Sequence, residues 1–554
     1  MVRWAYMKRF LAGALFGLYA AHLLYLLNPQ VEVTPAKLIG VTLFYAAIGG
    51  LLFGTALWLL RIARVRLFGK PATNGYRPHG FGFIVLAAFI AATVYWIHLD
   101  AVRAYLPIDA VHLLIKATNL ITLVAFIFLL LWFFERNASR RVSRAIFVTA
   151  LLTVVVSSVF LYERRDTYRT EKKSVVVANI GTIAGERPVI VVAIRSLPYD
   201  WIVQLAGEGN LPFFDAARQH AYFARMEPFA TSSDKALWAS LATGKLPYRH
   251  GVTGSYSYTT PLNRDEPFLL LPSGVGFHVW GLLPPVERIS ASLPSGNALP
   301  LWTMFERLSF HAAVVNWPKA QRGSASIVVT DAAIRTAPYV NVANIATLAQ
   351  KFDGTGKARP RILRGLAADV DAVNMLRSIA AQRTLGLNVV ALDGFSEAQR
   401  ALHIYANALP PRTSMKGEAL RAYVVQLDAL LAGVARDYPD HVLVVTSPSG
   451  PAAPPLPVTP YAFVREALAV DDPGADDGFV VITGIGTTHR DNPAAAKVDD
   501  IVPTTLFAAG LPAGRDMDGS VLTAAFDDAF LRRNALSLIA TYEAKQIVVR
   551  RGGP

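Results

Sequence analysis

The chain has 554 residues, of which 53% are hydrophobic, with a mean hydropathy of +0.35 and no cysteine. This composition excludes a purely soluble protein and indicates membrane segments, while the lack of cysteine excludes disulfides, thiolate chemistry and cysteine-based zinc sites. The formal charge of +14 would suit a nucleic-acid-binding protein. Much of the Lys/Arg excess flanks apolar runs, however, so we expect a membrane protein with no nucleic-acid partner.

Five apolar runs precede residue 165, and each is close to the ~20 residues that cross a bilayer. They are Phe10–Leu27, Leu38–Leu60, Phe81–His98, Leu113–Phe134 and Ala145–Tyr162. We therefore predict a bundle of five transmembrane helices over residues 1–165. Buried helices of a soluble domain are a weaker interpretation, because five such runs in succession are hard to bury. No small-residue cleavage site follows the first run, so we expect no cleaved signal peptide.

The basic residues of this region are unevenly distributed among the loops. The N-terminus and the loops after the second and fourth runs are rich in Lys and Arg, whereas the other two loops hold little beyond Lys37 and Arg103. Because Lys and Arg resist translocation, we expect a cytoplasmic N-terminus in the inner membrane and a periplasmic or otherwise extracytoplasmic C-terminal domain. Residues 166–187 are predicted to be a basic linker, and the basic segment Glu163–Lys173, which overlaps its start, could rest on anionic headgroups.

From Pro188 the sequence changes to short β-branched runs that alternate with helix-like stretches. This alternation predicts a mostly parallel sheet with helices on both faces and a site beyond the carboxyl ends of the strands. We assign residues 188–530 to this α/β domain and residues 531–554 to a C-terminal tail. The predicted strands are Pro188–Ile194, His311–Trp317, Ser326–Asp331, Leu387–Leu392, His441–Ser447 and Gly478–Gly484.

Four segments between Pro188 and Phe526 resemble the alkaline phosphatase superfamily, in particular its type I phosphodiesterase/nucleotide pyrophosphatase branch. They read "PVIVVAIRSLPYDW", "SLATGKLPYRHGVTG", "LPLWTMFERLSFHAAVVNWP" and "DDIVPTTLFAAGLPAGRDMDGSVL". The resemblance implies an alkaline-phosphatase-like domain. Five spans followed by such a domain is also the layout of lipid-directed phosphotransferases of this superfamily.

The resemblance also implies a chemistry, in which two zinc-like ions activate a Ser/Thr nucleophile and stabilise the transferring phosphoryl group. Most of the matching positions here hold other residues. The metal aspartate after the first strand is replaced by Arg195, or has Arg195 beside it, and the nucleophile position holds Asp234, with Ser232 and Ser233 adjacent. The Asp-x-x-x-His pair of the family matches Ser396 and Arg400, and its Asp-His-Gly motif matches Pro448, Ser449 and Gly450. A histidine ligand survives only as His489.

These replacements predict that the two-metal chemistry is lost and that no cofactor is bound. Arg195, Lys235, Arg400 and His489 would then line a cationic cleft for phosphate, a lipid headgroup or an acidic side chain. Asp234 could instead close the cleft by an ion pair with Arg195, and His489 could make only an ordinary hydrogen bond. A shifted register would restore Ser232 or Ser233 as a nucleophile.

Three functions remain open from the sequence. The leading one is a membrane-anchored pseudoenzyme used for binding, for regulation or as a structural subunit of a membrane complex, with membrane lipids and possible partner subunits. The second is an active phosphodiesterase or phosphotransferase acting on membrane phosphodiesters, with two zinc-like ions. Its candidate ligands are Asp200, Asp393, His403 and His489. The third is an assembly factor that acts through its transmembrane helices.

Overall fold

The chain divides into two compact units in its structure, which is a computed structural model. Unit 1 comprises Met1–Lys172, Tyr256–Ser290 and Val458–Val470, and unit 2 comprises Lys173–Ser255, Ala291–Pro457 and Asp471–Pro554. Besides scattered positions between 6 and 34, the structure describes residues 35–68, 81–103, 108–135, 140–165, 177–180, 187–229, 234–252, 256–259, 287–290, 298–318, 320–330, 333–334, 350–405, 409–451 and 476–549.

The described residues of unit 1 include four long helices. They are α1 (Pro35–Phe68), α2 (Phe81–Val102), α3 (Ile108–Glu135) and α4 (Arg140–Arg165). A two-stranded antiparallel pair, β4 (Tyr256–Thr259) and β5 (Glu287–Ser290), also belongs to this unit.

Two segments of these helices, rather than the five predicted, are long and apolar enough to cross a membrane within the described residues. They are Pro35–Ala56 and Leu114–Phe134. In α2 and α4 the apolar stretches are shorter, at Ala88–Ile97 and Val148–Ser157. The middle of α4 is made polar by two threonines and a serine that donate hydrogen bonds to carbonyls one turn back. Most of the first predicted run lies outside the described residues.

Unit 2 is built on an eight-stranded sheet with the order β11-β3-β10-β9-β2-β8-β6-β7. Among its described strands only β10 runs opposite to the others, so the prediction of a mostly parallel sheet is confirmed. All six predicted strands are present, and β3 and β11 were not foreseen. The strands are β2 (Val189–Ile194), β3 (Tyr222–Glu227), β6 (Ala312–Val315), β7 (Ile327–Val329), β8 (Leu387–Leu392), β9 (Val442–Ser447), β10 (Gly478–Thr483) and β11 (Ala496–Lys497).

Helices cover both faces of this sheet, as predicted. Alternate residues of β2 enter two separate cores: Ile190 and Val192 enter one, and Val189 and Val191 enter the other. This is the pattern of a strand covered on both faces. The first core is closed by α5 (Tyr199–Gly207), α6 (Pro212–His220), α10 (Arg359–Gln382), α11 (Gly394–Ala401) and α12 (Met415–Asp437). The second is closed by α7 (Asp234–Thr243), α9 (Leu301–Arg307) and α13 (Ile501–Ala508), and a short α8 (Pro247–His250) follows α7.

One strand within the predicted linker pairs with one strand within the predicted tail. Strand β1 (Val177–Ile180) pairs in parallel with β14 (Gln546–Val549), with Val177 opposite Gln546. The short helix α14 (Asp528–Arg533) and the pair β12 (Ala513–Gly514) and β13 (Leu538–Ile539) precede β14. Residues 531–549 are thus part of unit 2, because their short apolar run "QIVV" finds a strand partner.

Candidate functional site

The candidate site lies at the carboxyl ends of neighbouring parallel strands. Arg195 follows the last residue of β2, and Asp393 follows the last residue of β8. The register pairs Ile194 with Leu392, so Arg195 and Asp393 leave the sheet side by side. The third group, Asp234, is the first residue of α7. This is the edge at which ligands bind in open α/β sheets.

Arg195 is held between two carboxylates at this edge. Its Nη1 lies 3.3 Å from Asp234 Oδ2 and its Nε lies 3.1 Å from Asp393 Oδ1. The guanidinium also lies 4.8 Å from the centre of a Trp238 ring. Only 16% of the Arg195 side chain is exposed, against 33% for Asp234 and 21% for Asp393. We call these four residues the Arg195 cluster. The ion pair with Asp234 that the sequence left open is present.

Neutral hydroxyl groups lie behind the Arg195 cluster, at positions that the resemblance assigns to metal ligands or next to them. Ser196, at a left-handed φ of 63°, lies with its Oγ 3.5 Å from Ser396 Oγ, and Gln399 donates to the Ser196 carbonyl. Ser447 Oγ donates to the Ser449 carbonyl at 2.9 Å. Neutral hydroxyls are poor substitutes for the carboxylate and imidazole ligands of zinc.

A buried acid that the sequence analysis missed lies next to the cluster. Asp369 on α10 is fully buried; Gly394 N donates to its Oδ1 at 3.0 Å and Tyr423 Oη donates to its Oδ2 at 2.8 Å. Burial raises the pKa of Asp369 to about 7. Because Gly394 directly follows Asp393, Asp369 anchors the turn that presents Asp393 to Arg195. The sequence gives one indication of this burial, because Asp369 lies three residues after the apolar Leu366 and so on the same face of α10.

The other predicted cleft residues on this part of the chain face elsewhere. Arg400 pairs with Glu397 at 3.1 Å and is 44% exposed. Asp200 pairs with Arg225 at 2.7 Å, and His403 is exposed beyond the end of α11. Lys235 is also exposed, although it follows Asp234. The contacts of Arg400, Asp200 and His403 do not include Arg195.

His489 lies at the opposite edge of the sheet. Its Nδ1 is 3.3 Å from the Ala221 carbonyl and its Nε2 is 3.1 Å from Asp491 Oδ1. Ala221 directly precedes β3, whose first residue, Tyr222, pairs with Ile482 near the end of the antiparallel β10. That end of β3 is the amino edge, whereas the Arg195 cluster is at the carboxyl edge. The structure therefore does not bring His489 to the cleft, and the candidate metal set with Asp393 does not come together.

Two of the segments that carry the resemblance pack against each other in a structural role. Lys245 Nζ lies 2.6 Å from Asp516 Oδ2, and Arg249 Nε lies 3.0 Å from Asp518 Oδ1. His250 is fully buried, accepts a hydrogen bond from Val252 N at its Nδ1 and lies 2.9 Å from Ser240 through its Nε2. Burial lowers the pKa of His250 to about 3, so it is neutral and serves packing.

The residues at the cleft do not fit a pair of zinc-like ions. Within the described ranges, no three His, Asp or Glu side chains gather as a metal site. The two carboxylates that face each other, Asp234 and Asp393, already share the cation of Arg195. A guanidinium in that place repels a dication. Ser232 and Ser233 lie outside the described residues, so the shifted register stays a prediction.

Stability should depend on pH through Asp369. Its pKa is raised from 3.8 to about 7 in the folded protein, so the folded state binds one proton more than the unfolded state between these values. The free energy of unfolding should therefore decrease as pH rises from about 4 to about 7. Asp369→Asn should flatten this slope in urea titrations, whereas the exposed Asp353→Asn should not.

Asp499 contributes a slope of the same sign, because burial raises its pKa to about 6. The Asp369→Asn protein should accordingly retain part of the pH dependence. An unchanged slope in this variant would mean that Asp369 titrates near its ordinary pKa despite its burial.

Comparisons with known proteins give a family model that matches part of the chain. Residues 189–447, just under half of the chain, match the family model "Type I phosphodiesterase / nucleotide pyrophosphatase". No curated protein matches the chain in sequence.

Several solved structures are similar at low identity. Murine ectonucleotide pyrophosphatase/phosphodiesterase 5 is 11% identical with a TM-score of 0.36, covering 59% of this chain and 95% of its own. The alkaline phosphatase PafA is 10% identical with a TM-score of 0.40, covering 62% and 99%. The lipoteichoic acid synthase LtaP from Listeria monocytogenes is 12% identical with a TM-score of 0.36, covering 62% and 77%. Because these scores are low, the assignment depends on the family model. Residues 189–447 are thus similar to the type I phosphodiesterase / nucleotide pyrophosphatase family.

Proposed function

We propose that this chain is a membrane-anchored pseudoenzyme whose phosphodiesterase-like domain acts as a non-hydrolysing binding or structural subunit of a membrane complex. The observation that carries the proposal is Arg195 between Asp234 and Asp393. The resemblance assigns Arg195 to the position at which a phosphoryl-transfer site of this type needs a divalent cation, which supports the proposal. The carboxylate that stands at the nucleophile position is engaged by the same guanidinium.

The geometry favours a closed cleft over a broadly cationic one. The Arg195 cluster holds one cation and two carboxylates, and Arg400 is neutralised by Glu397 outside the cluster. An anion that enters here must displace Asp234 or Asp393 from Arg195. A structural role, or a partner that binds without opening this ion pair, therefore agrees better with the contacts than capture of free phosphate in the cleft.

The membrane part of the proposal depends on composition. Two apolar segments of spanning length support a membrane-anchored protein. The Lys and Arg at the N-terminus and after the second and fourth apolar runs favour a cytoplasmic N-terminus in the inner membrane, and an odd number of spans would place unit 2 outside the cytoplasm. The partners that we propose are membrane lipids and other subunits of a membrane complex.

Hydrolysis assays test the catalytic part of the proposal. We expect the purified full chain, supplied with Zn²⁺ or Mn²⁺, to hydrolyse bis-p-nitrophenyl phosphate no faster than its Asp234→Ala variant, and to retain no stoichiometric zinc after dialysis. Metal-dependent hydrolysis that is lost in Asp234→Ala would overturn it. Hydrolysis that survives in Asp234→Ala but is lost in Ser232→Ala or Ser233→Ala would instead establish the shifted nucleophile.

A further inference from the structure

Arg187 occupies a defined position at the amino edge of the sheet, opposite to the Arg195 cluster. It stands two residues before β2, and its backbone N–H donates to the Ala509 carbonyl. Its guanidinium lies 4.4 Å from the centre of the Phe530 ring, and its Nη2 donates to Asn534 Oδ1 at 2.6 Å. The ring and the amide together fix the plane of the half-buried guanidinium.

The charge of Arg187 is not balanced by any described carboxylate. Its Nη1 is buried and has no hydrogen-bond partner among the described residues. Burial, together with the positive charge of Arg533, lowers the pKa of Arg187. A buried N–H of a charged group that lacks an acceptor costs folding free energy. An anion from outside the described chain would remove that cost.

Arg533 supplies a second cation at the same place. It precedes Asn534, which binds Arg187, and it ends α14 with an exposed side chain. Its Nε donates to the Ala529 carbonyl at 3.1 Å, and within the described ranges its terminal nitrogens have no partner. Arg533 offers N–H donors at the surface, and Arg187 adds positive charge beside them, which suits the oxygens of a phosphate group.

We propose that Arg187 and Arg533 bind the phosphate group of an anionic membrane lipid. The sequence favours a lipid over a soluble phosphate, because Arg187 follows the basic segment Glu163–Lys173 by 14 residues, and we expect that segment at the membrane surface. The six-residue β2 separates this site from the Arg195 cluster by about 20 Å. Anion binding by Arg187 and Arg533 is therefore independent of whether the Arg195 cluster has lost catalysis.

Thermal unfolding of the full chain in detergent tests this site. Phosphatidylglycerol should raise the melting temperature of the wild-type chain, phosphatidylcholine should not, and inorganic phosphate should raise it less than phosphatidylglycerol does. Arg187→Gln, which keeps a polar group for Asn534, should weaken phosphatidylglycerol binding by about tenfold or more, as expected for a lost charge-assisted hydrogen bond. Arg436→Ala is the matched control, since Arg436 is an exposed arginine on α12.

Arg533→Ser keeps the proposal testable if Arg187→Gln does not fold, because Arg533 is exposed. A similar loss in this variant supports the shared site. Equal binding of phosphatidylglycerol by the wild-type chain and both variants would overturn the site. If inorganic phosphate raises the melting temperature and phosphatidylglycerol does not, Arg187 and Arg533 bind an anion, and the proposal that this anion is a lipid is overturned.

Discussion

Replacing Gly394 with alanine is expected to destabilise unit 2 by about 3 kcal/mol, the upper part of the range for overpacking a tight core. A Cβ at Gly394 would lie 2.1 Å from the Gly365 carbonyl oxygen and 2.2 Å from Tyr423 Oη. The first of these is backbone of α10, so the two helices would have to move apart. That movement would also break the hydrogen bond from Gly394 N to Asp369. The measurement is the midpoint of urea unfolding of the full chain.

Gly207→Ala is the control for this prediction. Gly207 ends α5, and a Cβ placed there meets nothing within 4 Å. Alanine should therefore be neutral or stabilise by up to about 1 kcal/mol through the lower entropy of the unfolded chain. Equal stability of Gly394→Ala and Gly207→Ala would contradict the close approach of α10 and α11.

Arg195→Ala is expected to cost about 1–3 kcal/mol, because it leaves Asp234 and Asp393 partly buried without their shared cation. The cost stays below that of a fully buried pair, since a third of the Asp234 side chain is exposed and solvent screens it. The exposed pair between Arg400 and Glu397 provides the control, and Arg400→Ala should change stability by less than about 0.5 kcal/mol.

The Arg195→Ala protein should also respond to divalent cations in a way that the wild-type chain does not. With the guanidinium gone, two carboxylates face an open position, and Mn²⁺ or Zn²⁺ should raise the melting temperature of this variant alone. A wild-type chain that responds to these ions as strongly would show that Arg195 does not exclude them. An Arg195→Ala chain as stable as the wild type would show that the ion pairs contribute little.

The sheet could be predicted from the sequence because β2, β8 and β9 are continuous apolar runs of strand length, buried along their whole lengths. Strand β3 escaped detection because "YFARME" holds Arg225 and Glu227, which lie where the strand becomes partly exposed near its end. The tail was misassigned for a different reason. A four-residue strand such as β14 is recognisable only through its partner β1, which is far away in the chain.

The ion pair between Arg195 and Asp234 could be anticipated, because the resemblance assigns the two residues to the metal-aspartate and nucleophile positions of one site. Asp393 was considered only as a metal ligand, although its position beside β2 follows from strand register. The placement of His489 could not be predicted, because nothing local reveals that β10 runs antiparallel and ends at the amino edge. The direction of a strand depends on how the chain returns to the sheet, which is a long-range property.

The pairing of β1 with β14 also constrains when unit 2 can be completed during biosynthesis. Strand β1 can pair only after β14 has been synthesised, so this contact forms later in synthesis than the contacts of β2 with β8 and β9. A chain that ends before β14 leaves the edge of β1 unpaired. An unpaired strand edge can pair with other chains and so promotes aggregation. Chains that contain β14 and chains that end before it therefore differ in whether β1 is paired.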